Sequence, residues 1–313
     1  MRIALITPAR PGSRAGNRHT ALRWAAFLRA AGHKVTVSTE WESNERDDLL
    51  LALHARRSHE SIRKYKEAHP DKPLVLALTG TDIYRDIHTD IDAQQSLELA
   101  TRFIVLQPKA IEELPRRLRR KAHVVVQSCS TKLRHRPVKA KFRLCVIGHL
   151  RDEKDPLRAM HALRHVPEAL DIELIQVGDS LDDQLAEEAR RGMQSDTRYR
   201  WLGSVSHAKA LNLLASSHAM VISSRMEGGA NVVSEAIRIG VPVIGSRISG
   251  NLGLLGARYP AYYPLGDEKA LAGLIERARG DRRFYSGLKR QIAKLRPMVS
   301  PANEARMLIR SIT

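Results

Sequence analysis

Aromatic residues make up only 4% of the chain, and only two residues, Cys129 and Cys145, are cysteines. No basic stretch is interleaved with aromatics on which bases would stack, which argues against a nucleic-acid partner. There is no C-x-x-C pair and no His/Cys cluster at zinc spacing, so a disulfide framework is excluded. Both thiols are expected to be buried or inert, in a reducing compartment. No apolar run reaches the ~18 residues that a membrane helix requires. The opening Met1–Pro8 is too short in its apolar part for a signal peptide and reads as a first strand. A membrane partner is therefore not expected, and cytoplasmic is the expected location. Internal repeats and low-complexity segments are also missing.

What the chain has in excess is positive charge. Its 313 residues include 52 Lys and Arg against 34 Asp and Glu, a formal charge of +18. Such a balance favours anionic partners, among which nucleic acid, acidic membrane and small phosphorylated substrates compete, with nucleic acid set low. Much of the charge is expected to form a solvated, arginine-rich surface. The length suggests about two domains. Short apolar runs alternate with helical patterns throughout, which predicts an α/β fold with parallel sheets covered by helices on both faces. The first series comprises Ile3–Thr7, Lys34–Ser38, Leu49–Leu53, Leu74–Leu78, Phe103–Leu106 and His123–Gln127. A second begins at Arg143–Ile147 and continues through Ile172–Val177, Tyr199–Leu202, Met220–Ser223 and Pro242–Gly245. Between them Lys132–Lys141 lacks an apolar period and contains a proline, the mark of a linker. The expected division is 1–138 for an N-terminal domain, 139–295 for a second one, and 296–313 for a terminal helix.

The segment Ser223–Ala236 carries the most chemistry. The apolar run Ala219–Ile222 reads as a buried strand, and Val232, Val233, Ala236, Ile237 and Ile239 recur at helical spacing after a glycine-rich turn. At such a turn, Gly228, Gly229, Ala230 and Asn231 offer backbone amides, and the helix dipole favours an anion such as phosphate. Glu227 lies before the helix and Glu235 about one turn inside it, so both can face one ligand. Carboxylates accept hydrogen bonds from hydroxyls rather than binding phosphate. A phosphate flanked by polyols, a sugar nucleotide, meets both requirements.

This segment resembles the Glu-x7-Glu signature of the family 4 glycosyltransferases. The resemblance implies the GT-B fold: two Rossmann-like domains whose parallel sheets face one another across a cleft, with the C-terminal helix crossing back to the N-terminal domain. It implies that Glu227 sits by the donor sugar and Glu235 binds the ribose hydroxyls. Gly148-His149-Leu150-Arg151-Asp152-Glu153-Lys154 is similar to the family's Gly-Arg-Leu-x-x-x-Lys run, whose cations neutralise the donor diphosphate. Lys154 matches the lysine, His149 replaces the arginine, and Arg151 is the candidate to supply the missing charge. Gly16-Asn17 matches the family's glycine loop near the donor phosphates, and it is not the G-x-G-x-x-G of a dinucleotide site. Asn17 or Thr20 is a candidate helix cap. Arg10, Arg14, Arg18 and His19 make that loop cationic enough for an anionic acceptor. Thr79-Gly80-Thr81-Asp82 is similar to a family turn near the transferred sugar, which makes Thr81 and Asp82 acceptor candidates; capping the next helix is an equal reading for Asp82. Val205, in Ser204-Val205-Ser206, is the base-pocket candidate. Asp90-Ile91-Asp92 is formally D-x-D but lacks a preceding strand. No metal cofactor is expected, because family 4 enzymes use basic residues and a helix end in its place.

Several stretches resemble one group more closely, the selenosugar synthases of selenoneine biosynthesis. They are Gly16–Trp24, Leu78–Tyr84, Gly148–Pro156 and Ser224–Ala236. That resemblance implies transfer of N-acetylglucosamine or glucose from a UDP-sugar to selenium of selenophosphate, giving a 1-selenosugar. Selenophosphate is already an anionic nucleophile, so a general base is less necessary than for an alcohol. Two other classes are open: a family 4 transferase using a lipid or glycan hydroxyl, with the basic Pro115–Lys121 segment against headgroups, and a non-catalytic nucleotide-sugar-binding module.

Overall fold

The computed structural model describes residues 1–12, 16–42 and 46–313. They form two compact units, one of Met1–Ser128 with Pro301–Thr313, the other of Cys129–Ser300. Each unit is built on one six-stranded sheet among the described residues.

The first sheet contains β1 (Arg2–Ile6), β2 (Lys34–Ser38), β3 (Leu49–Leu53), β4 (Leu74–Leu78), β5 (Arg102–Val105) and β6 (Ala122–Val124). Their order is β2-β1-β3-β4-β5-β6 and every neighbouring pair is parallel. The central strands β3 and β4 are apolar and buried at every position, as required of strands covered on both faces. On one face, Trp24 and Leu28 of the helix Gly16–Ala30 pack with Leu308 and Ile312 of the helix Pro301–Ile312. On the other, Ile62 and Tyr65 of the helix His59–Ala68 join Leu97 and Phe103.

The second sheet contains β7 (Phe142–Ile147), β8 (Ile172–Val177), β9 (Tyr199–Trp201), β10 (Ala219–Ile222), β11 (Val243–Ser246) and β12 (Tyr262–Tyr263), in the order β12-β11-β10-β7-β8-β9. All of its neighbouring pairs are parallel. The chain winds outward from β7 in one direction, then returns to β10 and winds in the other. This reversal leaves a crevice at the carboxyl ends of β7 and β10, where open parallel sheets bind ligands.

The tract 132–141, expected as a linker, lies along the second unit. The backbone N–H groups of His135, Arg136 and Val138 donate to the carbonyls of Ile239, Ala215 and Ser216. The terminal helix expected over 296–313 runs over Pro301–Ile312 and is separate from the helix before it, Arg282–Leu295. Pro297 and Pro301 explain the break, since a proline cannot donate within a helix. Two-residue β12 was not anticipated, being too short for a period. Asp90 caps the helix Ile91–Leu99 by accepting from the Ala93 N–H at 2.9 Å. Both cysteines are buried, and burial pushes the Cys145 thiol up to about 12. Among the described residues, no helix is long and apolar enough to cross a membrane.

Candidate active site

Two loops leave the crevice of the second sheet: 148–154 after β7 and 223–230 after β10. They are stitched together by polar contacts. Ser223 Oγ donates to the carbonyls of Lys154 (3.1 Å) and Asp155 (2.7 Å). The Arg225 N–H donates to the Glu153 carbonyl at 2.9 Å, and the Arg225 guanidinium lies 3.3 Å from the Asp152 carboxylate. Lys154 closes a short helical turn that ends in left-handed Asp155, φ 43°. Its ammonium donates to Glu227 Oε1, which also accepts from Ser224 Oγ at 2.7 Å. Glu227 is 9% exposed, so the lysine supplies the counter-charge that a carboxylate at this depth needs.

Two glycines make this approach feasible. A β-carbon on Gly178 would fall 1.9 Å from the Gly148 carbonyl oxygen, and one on Gly250 would fall 2.1 Å from the Glu227 carbonyl oxygen. Both neighbours are backbone and cannot swing aside. Gly250→Ala is therefore expected to destabilise the protein by about 1–3 kcal/mol, read as a lower midpoint in urea unfolding. An unchanged midpoint would show that the Glu227 loop yields freely.

His149 is half-buried, and its Nδ1 accepts the Asp179 N–H at 3.1 Å. The neutral ring then carries its proton on Nε2. Gly148, His149, Lys154, Ser223, Ser224 and Val232 line a recess of about 20 Å³. Arg151 is exposed and, among the described residues, makes no side-chain hydrogen bond or ion pair.

Gly228, Gly229 and Ala230 lead into the helix Asn231–Ile239, whose Val233 and Ser234 N–H groups donate to the Ala230 carbonyl. Glu235 sits in its second turn with a 15% exposed side chain, and Glu235 Oε1 accepts from His207 Nε2 at 2.7 Å. His207 opens the helix His207–Ser216 after Ser206, whose hydroxyl accepts the Lys209 N–H. The carboxylate's hydrogen bond holds the His207 pKa above its ordinary 6.5. His207 was missed by sequence reasoning, because it lies in a polar turn 28 residues from its partner. Ser206 serves as a helix cap, and Val205 beside it is half-buried.

In the first unit, Gly16 and Asn17 form the opening turn of the helix Gly16–Ala30. Asn17 is thus inside the helix rather than its cap, and Thr20 Oγ1 donates back to the Gly16 carbonyl at 3.0 Å. Arg10 and His19 are exposed, Arg18 is half-buried, and Arg14 lies outside the described residues. Thr81 is half-buried. Asp82 departs most from expectation. It is fully buried and accepts the N–H groups of Ala55 (3.1 Å), Thr79 (3.1 Å) and Gly80 (2.8 Å). Its carboxylate is turned inward to tie two loops, not outward to an acceptor.

Two doubly wound parallel sheets, the second with a carboxylate-lysine pair at its switch point, are the architecture of the GT-B glycosyltransferases. Solved structures sharing it include Anabaena Alr3699/HepE in complex with UDP and glucose, at TM-score 0.77 and 16% identity over 100% of this chain and 99% of that one. Sucrose-phosphate synthase from Thermosynechococcus elongatus superimposes at 0.79 and 16% identity, over 99% and 97%. The lipopolysaccharide outer core galactosyltransferase WaaB does so at 0.71 and 14%, over 100% and 99%. No curated protein matches the sequence. The model of the family "Glycosyl transferases group 1" matches residues 130–294, more than half of the chain, and the chain belongs to that family. It is a glycosyltransferase.

Proposed function

We propose that this enzyme transfers a sugar, N-acetylglucosamine or glucose, from a UDP-sugar to the selenium of selenophosphate, forming a 1-selenosugar for selenoneine biosynthesis. The observation that carries the donor half is the pairing of Lys154 with Glu227 beside the amide-rich start of the helix Asn231–Ile239. HepE, of the same architecture, has been solved with UDP and with UDP-glucose, which supports UDP as the nucleotide. Lys154, Arg151 and the His149 Nε2–H face the diphosphate, and no metal is required because these groups and the helix end take up its charge. Glu227 receives sugar hydroxyls and Glu235 the ribose. The four-stretch resemblance carries the acceptor half, with Arg10, Arg14, Arg18 and His19 supplying cations. Anionic selenium attacks the anomeric carbon, the carbon–oxygen bond to UDP breaks, and UDP leaves with the electron pair. Water then cleaves the selenium–phosphorus bond to give phosphate and the selenosugar.

The decisive experiment is an anaerobic incubation with UDP-N-acetylglucosamine, then UDP-glucose, with and without selenophosphate, read by mass spectrometry. UDP release together with a product of selenium isotope pattern is expected. The likeness to WaaB favours the competing reading, a glycan or lipid hydroxyl acceptor. UDP release without a selenium product would favour it.

Glu235→Ala is expected to weaken UDP binding about tenfold, a ribose hydrogen bond to a charged acceptor. Unchanged affinity in calorimetry would remove Glu235 from the site. Glu235 Oε1 is held by His207, and the imidazolium holds it best. UDP affinity is therefore expected to be highest below the raised pKa of His207 and to decline as pH climbs through it. Glu235 is the charged group that shifts His207; His207→Ala is expected to flatten the profile. A wild-type affinity independent of pH would show that the pair does not orient Glu235.

A further inference from the structure

In the first sheet, β1, β3 and β4 are adjacent and parallel, with Ile6 opposite Ala52 and Leu53 opposite Ala77. Their outgoing loops therefore leave the same edge, where the strand order reverses between β1 and β3. The loop after β1 carries exposed Arg10, and the turn after β3 carries Arg56 and Arg57. That turn begins with His54, which is 4% exposed and left-handed at φ 77°. A residue with a β-carbon rarely adopts this backbone, and such strain persists only where the surroundings impose it.

The surroundings do impose it. The His54 N–H donates to the Ala77 carbonyl at 2.8 Å, and the Ala55 N–H donates to Asp82 at 3.1 Å. Ser58 Oγ donates to the Leu53 carbonyl at 2.7 Å, and Ser96 Oγ to the Ala55 carbonyl at 2.9 Å. Beneath the turn, Asp86 accepts from Arg56 (3.1 Å) and Arg85 (3.0 Å) and lies 3.9 Å from His54 Nε2. Arg56 is thus committed to the fold. Arg57 is exposed, and among the described residues its guanidinium has no hydrogen bond or ion pair. Burial pushes the His54 pKa down, and the nearby positive charge of Arg57 adds to that shift.

We propose that the turn His54–Ser58 is a binding site for the acceptor's oxyanion, with Arg57 as the contacting cation. The proposal rests on the reading that the acceptor is anionic and specifies its chemistry: a small tetrahedral anion of phosphate type. A planar guanidinium fork grips two oxygens of such an anion and leaves the reacting atom free. The strained, pinned turn holds the arginine's backbone in place.

The test uses calorimetry on the full chain with thiophosphate as the probe and UDP titrated separately. Arg57→Gln is expected to weaken thiophosphate binding about tenfold or more with UDP affinity unchanged, Arg57→Lys to fall between, and Arg116→Gln to match wild type. Equal thiophosphate affinity in Arg57→Gln and wild type overturns the proposal, as does a wild type that does not bind thiophosphate. Selenosugar formation by Arg57→Gln at the wild-type acceptor KM also overturns it while leaving the proposed reaction standing. Thiophosphate bound through Arg57, with no selenium product, keeps the site for another phosphorylated acceptor and removes the selenophosphate reaction.

Discussion

Lys154→Ala is expected to reduce turnover by about two to three orders of magnitude while weakening UDP binding far less. A cation beside the departing diphosphate meets more charge in the transition state than in the ground state, so its loss falls on kcat. The same change strips Glu227 of its counter-charge. With the lysine side chain 23% and the glutamate 10% exposed, solvent screens part of the pair, and a stability loss of about 2 kcal/mol is expected. The two effects separate in the double variant Lys154→Ala/Glu227→Gln. Removing the orphaned carboxylate is expected to restore the unfolding midpoint and leave turnover low. A double variant with restored turnover would show that the lysine acts only by neutralising Glu227.

Glu304→Ala is expected to cost about 3–5 kcal/mol in urea unfolding followed by tryptophan fluorescence. Glu304 is fully buried in the first unit, on the helix Pro301–Ile312. It accepts from Arg23 Nε (2.9 Å), Trp24 Nε1 (2.7 Å), the Ser128 N–H (2.7 Å) and Ser128 Oγ (2.5 Å). Truncation leaves an indole N–H and a backbone N–H buried without a partner, and loosens the last helix from the first sheet. Glu304→Gln keeps one acceptor oxygen and is expected to fall between. A loss below about 1 kcal/mol in the alanine variant would place this carboxylate with ordinary surface pairs.

Glu304 also marks where sequence reading stops. In Pro301-Ala302-Asn303-Glu304 nothing separates it from an exposed acidic residue in a first helical turn. Its burial depends on Trp24 and Ser128, 280 and 176 residues away. His207 is silent for the same reason: only folding brings its turn to Glu235. Asp82 illustrates a different failure. Its turn was legible, but three amides claim its carboxylate, and the direction of a side chain is not encoded in the spacing that reveals the turn. The left-handed backbone of His54 had no signal either, since glycine is the residue that normally announces it.

What the linear pattern could settle is whatever depends on near neighbours. Continuous apolar runs such as Leu49–Leu53 read as strands buried on both faces, and their alternation with helical periods implies parallel sheets. The glycine turn between strand and helix, with carboxylates on either side, marks a strand end and the helix that follows it within one short segment. Those inferences need only local propensity and periods of two or 3.6 residues. Pairing was left to the folded chain: Lys154 with Glu227, His207 with Glu235, and Glu304 with Trp24. Each pair joins groups dozens to hundreds of residues apart, and its energy appears only when burial removes both partners from water.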